Sequence, residues 1–237
     1  MPRKDRLPGE LRPVSIQRNY TTNPDGSVLV SFGNTRVLCT AIIETKVPKW
    51  LLGKGQGWVT AEYAMLPGSA SEGRISRDSV RGGRALEISR LIGRSLRSVV
   101  DLTMLGEAQV TVDCDVLQAD GGTRTAAITG GYVALHDALT KGVAGGVFPS
   151  MPITAQCAAV SVGILGGETL LDLCYEEDST ADVDLNLVMR SDDTIIEVQG
   201  TAEKVPFRRA GLDAMLDLGR EGIQRLFAVQ REALGLA

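Results

Sequence analysis

The sequence predicts a single α+β domain. Three observations carry this. Short runs with period-two alternation of apolar and polar residues recur in both parts of the chain. Runs with apolar residues at steps of three and four follow them. No Pro/Ser-rich linker separates the two parts, so 237 residues read as one compact domain, 1–237, with pseudo-duplicated halves at about 10–142 and 151–237.

In chain order, Pro13–Ile16 opens the fold as a strand. Gly26–Phe32, Gly33-Asn34-Thr35 and Arg36–Ile43 read as a hairpin. The Pro and Gly content of 46–57 predicts a loop, and Trp58–Tyr63 a strand. Pro67–Gly83 is polar, rich in Gly, Ser and Arg and without a period, which predicts a mobile loop. Ala85, Ile88, Ile92, Leu96 and Val99 then mark the buried face of an amphipathic helix, with Arg90, Arg94 and Arg97 on its other faces. Val110, Val112, Cys114 and Val116 alternate with Thr111, Asp113 and Asp115, as in a half-buried strand. Ile128, Tyr132, Leu135 and Leu139 predict a second helix from about Thr125. Cys157–Leu165 and Thr169–Tyr175 read as a hairpin across Gly166-Gly167, followed by strands at Val183–Arg190 and Thr194–Gly200. A last helix runs from about Arg208 to Leu234 with Leu212, Met215, Ile223, Leu226 and Val229 inward.

Composition excludes several classes of function. No apolar run reaches the roughly 18 residues of a membrane span, and the charged start has no apolar segment of a signal peptide behind it. The four cysteines, Cys39, Cys114, Cys157 and Cys174, form no Cys-x-x-Cys pair, which fits reduced thiols and a cytoplasmic location. One histidine, His136, argues against a Ser-His-Asp triad and against His-rich metal sites; in a helix beside Leu135 and Leu139 it reads as structural. Aromatic residues at 4% argue against a base-stacking sheet, and Trp50 and Trp58 read as local packing.

The net charge of −4 hides an asymmetry. Between Glu72 and Arg97 lie seven arginines against three acids; between Glu168 and Asp193 lie nine acids and one arginine. An arginine segment in an acidic chain fits a local polyanion site, because guanidinium forks match phosphate oxygens, though it also fits a solvated helix face.

Two segments could carry chemistry. Asp120-Gly121-Gly122-Thr123-Arg124 joins a strand to a helix. Glycines let N–H groups converge, the helix start adds partial positive charge, and Thr123 and Arg124 supply donors, which are the ingredients of a phosphate pocket. It has neither a Walker ending nor a Gly-x-Gly-x-x-Gly pattern. The same residues would also suit a plain turn with Thr123 as N-cap and an Asp120–Arg124 ion pair. The second segment, Asp172–Asp184, holds six acids in thirteen positions. In a straight strand Asp178 and Asp184 would lie about 20 Å apart, at roughly 3.3 Å per residue, so a turn at 179–181 is needed to pair them. Paired, they suit Mg2+ or Mn2+, or one metal ligand and one general acid; unpaired, they are a solvated acidic turn. Arginines, an anion pocket and an acidic pair together suit phosphoryl transfer.

The run Val112–Ala126 (VDCDVLQADGGTRTA) resembles the signature of the ribonuclease PH family, bacterial phosphate-dependent 3′ exoribonucleases. Glu10–Pro13, Gly57–Pro67, and Tyr175–Ser179 with Val183-Asp184 agree in order and spacing, so the resemblance spans the chain. It implies mixed sheets packed on helices in the ribosomal-S5-domain-2-like arrangement. It implies phosphate binding by Arg84, Gly122, Thr123 and Arg124, and catalysis by Asp178 and Asp184, which would also hold Mg2+ or Mn2+, with Asp184 as general acid. It implies inorganic phosphate as co-substrate, and tRNA precursors and rRNA 3′ ends as substrates. It implies a homohexamer, a trimer of dimers, with Arg74, Arg77 and Arg81 guiding RNA. A hydrolytic two-metal nuclease and a non-catalytic ring subunit of an exosome-like assembly are the alternatives; the presence of both the phosphate residues and the aspartates argues against each.

Overall fold

Two sheets share one long central helix. The computed structural model describes Arg3 and residues 6–71, 73–76 and 82–236. Strands β1 (Val14–Arg18), β2 (Gly26–Phe32), β3 (Thr35–Glu44), β4 (Trp58–Met65) and β5 (Gln109–Gln118) form a sheet of order β1-β2-β3-β5-β4. The β2–β3 hairpin turns at Gly33-Asn34, with Val30 opposite Val37. All pairings are antiparallel except β4 with β5, which run parallel from Trp58↔Gln109 to Met65↔Val116. Parallel neighbours need a crossover, and helix α1 (Gly83–Arg97) supplies it. Its apolar stripe of Ala85, Ile88, Ile92 and Leu96 is buried as the periodicity predicts. Arg97 donates to the Val59 carbonyl (2.8 Å) and stacks over Trp58 at 4.3 Å. Trp50 meets Trp58 edge-on at 5.0 Å, which is local packing.

The second sheet, of order β7-β6-β8-β9, is antiparallel throughout: β6 (Cys157–Leu165), β7 (Glu168–Leu171), β8 (Val183–Arg190) and β9 (Ile195–Ala202). Helix α2 (Thr123–Ala144) lies between the sheets and is apolar on nearly every side. Toward the first sheet, Gly130 packs directly on Val30, leaving no room for a side chain. Toward the second, the Thr129 hydroxyl donates to the Ala159 carbonyl (3.3 Å) and accepts its N–H (3.1 Å). Helix α4 (Arg209–Leu234) covers β6, and the buried Gln230 amide donates to Thr129 and Cys157 carbonyls at 3.0 and 2.8 Å.

Two expectations change in detail, and a third lies partly outside the described residues. The strand expected over Thr169–Tyr175 stops at Leu171, and Tyr175 begins a single helical turn, α3 (Tyr175–Asp178). On α4, Phe227 and Gln230 face inward and Val229 is only half-buried. Within the expected Pro67–Gly83 loop, residues 72 and 77–81, including Arg77 and Arg81, lie outside the described residues. The rest of that stretch is tied down: Ile75 N–H donates to Pro67 (2.9 Å), Ala119 N–H donates to the Ser69 carbonyl (2.8 Å), and Ser69 is buried. Among the described residues no helix is long and apolar enough to cross a membrane.

Candidate active site

The turn between β5 and α2 has the form of an anion-binding helix start. Gly121 and Gly122 are both left-handed, at φ +74° and +64°. A side chain on Gly121 would also put its Cβ 2.5 Å from the Leu173 carbonyl oxygen, so only glycine fits. The Thr35 hydroxyl holds the turn, accepting from Asp120 N–H (3.0 Å) and donating to the Gly121 carbonyl (2.6 Å). Gly122 caps α2, and among the described residues no side chain bonds the N–H groups of its first turn. Those donors and the partial positive charge of the helix start face whatever lies in front of them. The plain turn with Thr123 as N-cap does not occur: Thr123 is the first helical residue and is buried, its Oγ1 2.8 Å from the Tyr63 hydroxyl. Nor does the Asp120–Arg124 pair. Asp120 accepts the Tyr175 N–H (3.2 Å), while Arg124 donates to Gln199 Oε1 and meets Glu87 at 3.5 Å. Gln199 Nε2 donates to the same Glu87 oxygen (3.2 Å), so α1 and β9 together clamp the Arg124 fork.

The acidic segment folds back at 179–181. Asp178 ends α3 and Asp184 lies near the start of β8, so the turn brings the two aspartates to one cavity and within electrostatic reach of each other. Burial and then the repulsion of Asp178 push Asp184 up to about 6, against the attraction of Arg124 and a hydrogen bond from Asn186 (3.3 Å). Burial also raises Asp178, against the pull of Arg84 and Arg124. Asp182 does not join them; it accepts the Gly166 N–H (2.9 Å) and faces Lys204 at 3.7 Å.

Buried ion pairs hold the two segments in register. Asp172, fully buried at φ +55°, accepts from Arg12 Nε and Nη2 (3.0 and 2.7 Å) and from the Arg12 N–H (2.8 Å). The same guanidinium donates to the carbonyls of Asp120 and Gly121. Arg3 grips Glu177 with two bonds, at 2.6 and 2.8 Å, and Arg6 adds a third at 3.1 Å. One side of Asp178 is thereby anchored to the N-terminal arm.

A cavity of about 610 Å³ opens over these elements, and Arg84, Gly122, Thr123, Arg124, Asp178 and Asp184 all line it. Arg84 enters from the first turn of α1. Arg74 is exposed and does not line the cavity. Sequence reasoning did not single out Tyr63, Glu87, Gln199 or Asn186, and it counted Asp172 only as one of the six acids of the second segment. Only Tyr63 left a signal, an aromatic at an inward position of a strand, and the others carry no motif of their own. Among the described residues no group of three or more His, Cys, Asp and Glu side chains could hold a metal. Two carboxylates lining one cavity fit Mg2+ or Mn2+ nonetheless, because such ions bind through one or two carboxylates together with substrate phosphate oxygens and water.

Residues 10–141 match the family model of the 3′ exoribonuclease family, domain 1, and residues 155–222 match its domain 2. The chain belongs to the 3′ exoribonuclease family. It is 55% identical over 235 residues to a ribonuclease PH of Mycolicibacterium gilvum, spanning 98% of this chain and 90% of that one. To a ribonuclease PH of Corynebacterium glutamicum it is 56% identical over 234 residues, spanning 98% and 95%. Among solved structures, the fold resembles an Archaeoglobus fulgidus exosome with RNA bound to the active site (TM-score 0.80, 22% identity, 94% and 90% covered). It also resembles rice Rrp46 (TM-score 0.76, 21% identity, 96% and 97% covered).

Proposed function

We propose that the 610 Å³ cavity holds inorganic phosphate against the last phosphodiester of an RNA. The chain is a phosphorolytic 3′-to-5′ exoribonuclease, a tRNA nucleotidyltransferase that trims nucleotides 3′ of the CCA end of tRNA precursors and processes rRNA ends. Phosphate sits on the first turn of α2, between the Thr123 hydroxyl and the guanidinium groups of Arg124 and Arg84. One phosphate oxygen attacks the terminal phosphorus, the bond from that phosphorus to the penultimate 3′ oxygen breaks, and a nucleoside diphosphate leaves. Burial raises the Asp184 carboxyl to about 6, which suits it to carry a proton to the departing 3′ oxygen while Asp178 holds the other side of the pair. Asp178 and Asp184 would hold Mg2+ or Mn2+, which would neutralise charge on the reacting phosphoryl oxygens. One phosphate linkage is exchanged for another, so the reverse reaction, nucleotide addition, runs at the same site.

The convergence of an anion-binding helix start and a carboxylate pair in one cavity carries this reading. A hydrolase would need the carboxylates but not the nest. The RNA approaches past Arg74, with Arg77 and Arg81 in the same segment, in a homohexamer built as a trimer of dimers. Four thiols without disulfide partners support a cytoplasmic location.

The test uses a tRNA precursor with a short 3′ extension and Mg2+, with and without inorganic phosphate. Nucleoside diphosphates are expected only with phosphate, and are lost in Arg124→Ala and Asp184→Ala. Monophosphates released without phosphate would identify a hydrolase. RNA binding with no shortening would identify a non-catalytic ring subunit.

A further inference from the structure

The geometry points to Tyr63 as a positioning residue that aims the Thr123 hydroxyl at the bound phosphate; this rests on the reading of Thr123 as a phosphate donor. Tyr63 lies on β4 with Val59 and Ala61 on its inward face, and it is 3% exposed. Its hydroxyl reaches out of the core to the floor of the cavity, 2.8 Å from Thr123 Oγ1. Among the described residues no other hydrogen-bond partner is found for it.

A buried phenol needs an acceptor for its proton, and here Thr123 Oγ1 is that acceptor. A hydroxyl carries one proton and two lone pairs. Once Tyr63 donates into one lone pair, the Thr123 proton turns away from Tyr63, toward the cavity that Thr123 lines. The opposite orientation would spend the Thr123 proton on Tyr63 and leave the phenol proton without a partner. Burial also holds the phenol above its usual pKa, so it stays a donor throughout the working pH range, even in the field of Arg84 and Arg124. Tyr63 touches neither phosphate nor RNA; it acts through Thr123.

The test is Tyr63→Phe in the full chain, which keeps the ring and removes only the hydroxyl. With a tRNA precursor and Mg2+, the KM for phosphate should rise about tenfold, the worth of one oriented hydrogen bond. The KM for RNA and kcat at saturating phosphate should not change, and Tm should fall by no more than about 4 °C, the worth of one buried hydrogen bond. Thr123→Val should raise the phosphate KM by itself, and adding Tyr63→Phe to it should cost nothing more, because the hydroxyl to be aimed is gone. An unchanged phosphate KM in Tyr63→Phe, with a raised one in Thr123→Val, overturns the inference and leaves the site intact. Additive effects of the two substitutions, or equal changes in both KM values, assign Tyr63 to packing and also overturn it. If Thr123→Val and Arg124→Lys both leave the phosphate KM unchanged, the phosphate site itself is misplaced and the inference falls with it.

Discussion

Asp172→Asn tests the frame that joins the phosphate turn to the aspartates. The substitution keeps the shape of the side chain, and Asn tolerates the left-handed backbone at φ +55° as well as Asp does. What it removes is charge. Asp172 is fully buried and Arg12 is 5% exposed, so the variant leaves a guanidinium in the interior without its counter-ion. It also turns an NH2 group toward Nε or Nη2, which are donors themselves. Breaking one partner of a buried pair costs about 3–5 kcal/mol. For a chain of this size each kcal/mol lowers Tm by roughly 2–4 °C, so a fall of about 6–20 °C is expected in thermal unfolding. Arg12 also donates to the Asp120 and Gly121 carbonyls, so the phosphate KM should rise in the same variant at a temperature where it remains folded. A Tm within about 2 °C of the native chain, with an unchanged phosphate KM, would refute the idea that this pair holds the site together.

In the metal-free protein, carbon-13 NMR of the Asp184 carboxyl should titrate near 6, and Asp178→Asn should lower that value by removing a like charge; a rise, or no change, contradicts the electrostatic reach between them. Burial alone would raise Glu177, but hydrogen bonds from Arg3 and the Cys174 N–H, with the charge of Arg6, leave it below the ordinary value of about 4.3. Its contribution is therefore present above that value and lost as pH falls through the lower folded value. Glu177→Gln should cost about 2 kcal/mol in urea unfolding at pH 7, and the gap to the native chain should narrow as the pH is taken below 4. Gly121→Ala combines a positive φ with a Cβ 2.5 Å from the Leu173 carbonyl, so the turn must move. Phosphate-dependent turnover should be lost in that variant even where circular dichroism shows the fold retained, and native phosphate affinity would count against the turn as the binding element.

Elements whose side chains alternate or repeat against a single packing partner were legible from sequence. Strand β5 shows its alternation of Val110, Val112, Cys114 and Val116, and α1 its stripe from Ala85 to Leu96, because each has one buried face. Helix α2 was legible in part: packed between two sheets, it has no polar face to mark its ends, and it runs from Thr123 to Ala144 rather than from Thr125 to Leu139. The parallel pairing of β4 with β5 left no mark, since strand direction depends on the crossover and not on local pattern. Of the candidate site, the glycine turn and the two aspartates were legible as candidates, and the structure brings them to one cavity. Their closure into one cavity depends on Arg12, Asp172 and Asp120, whose contacts span more than fifty positions of chain and have no local signature. Gln199 and Glu87 escaped for the same reason: each becomes meaningful only when α1 and β9 meet at Arg124.

The charge inside the cavity explains why the anion nest and the acids must share it. Arg84, Arg124 and Lys204 line it on the positive side, and Asp178, Asp184 and Glu203 on the negative. The side chains therefore nearly cancel before any substrate arrives. A phosphate ion and an RNA phosphodiester then enter together, and both are anions. The backbone N–H groups of α2 supply positive potential without adding a formal charge, which offsets part of that load. A proton on Asp184 offsets more, and the mutual repulsion of the two aspartates favours taking it up. A divalent cation held by the same carboxylates in place of that proton would offset more and relieve the repulsion. An acidic pair placed where two anions must meet is unfavourable by itself. On the proposed reading it becomes useful because it can recruit a proton for the leaving 3′ oxygen or a cation for the phosphates.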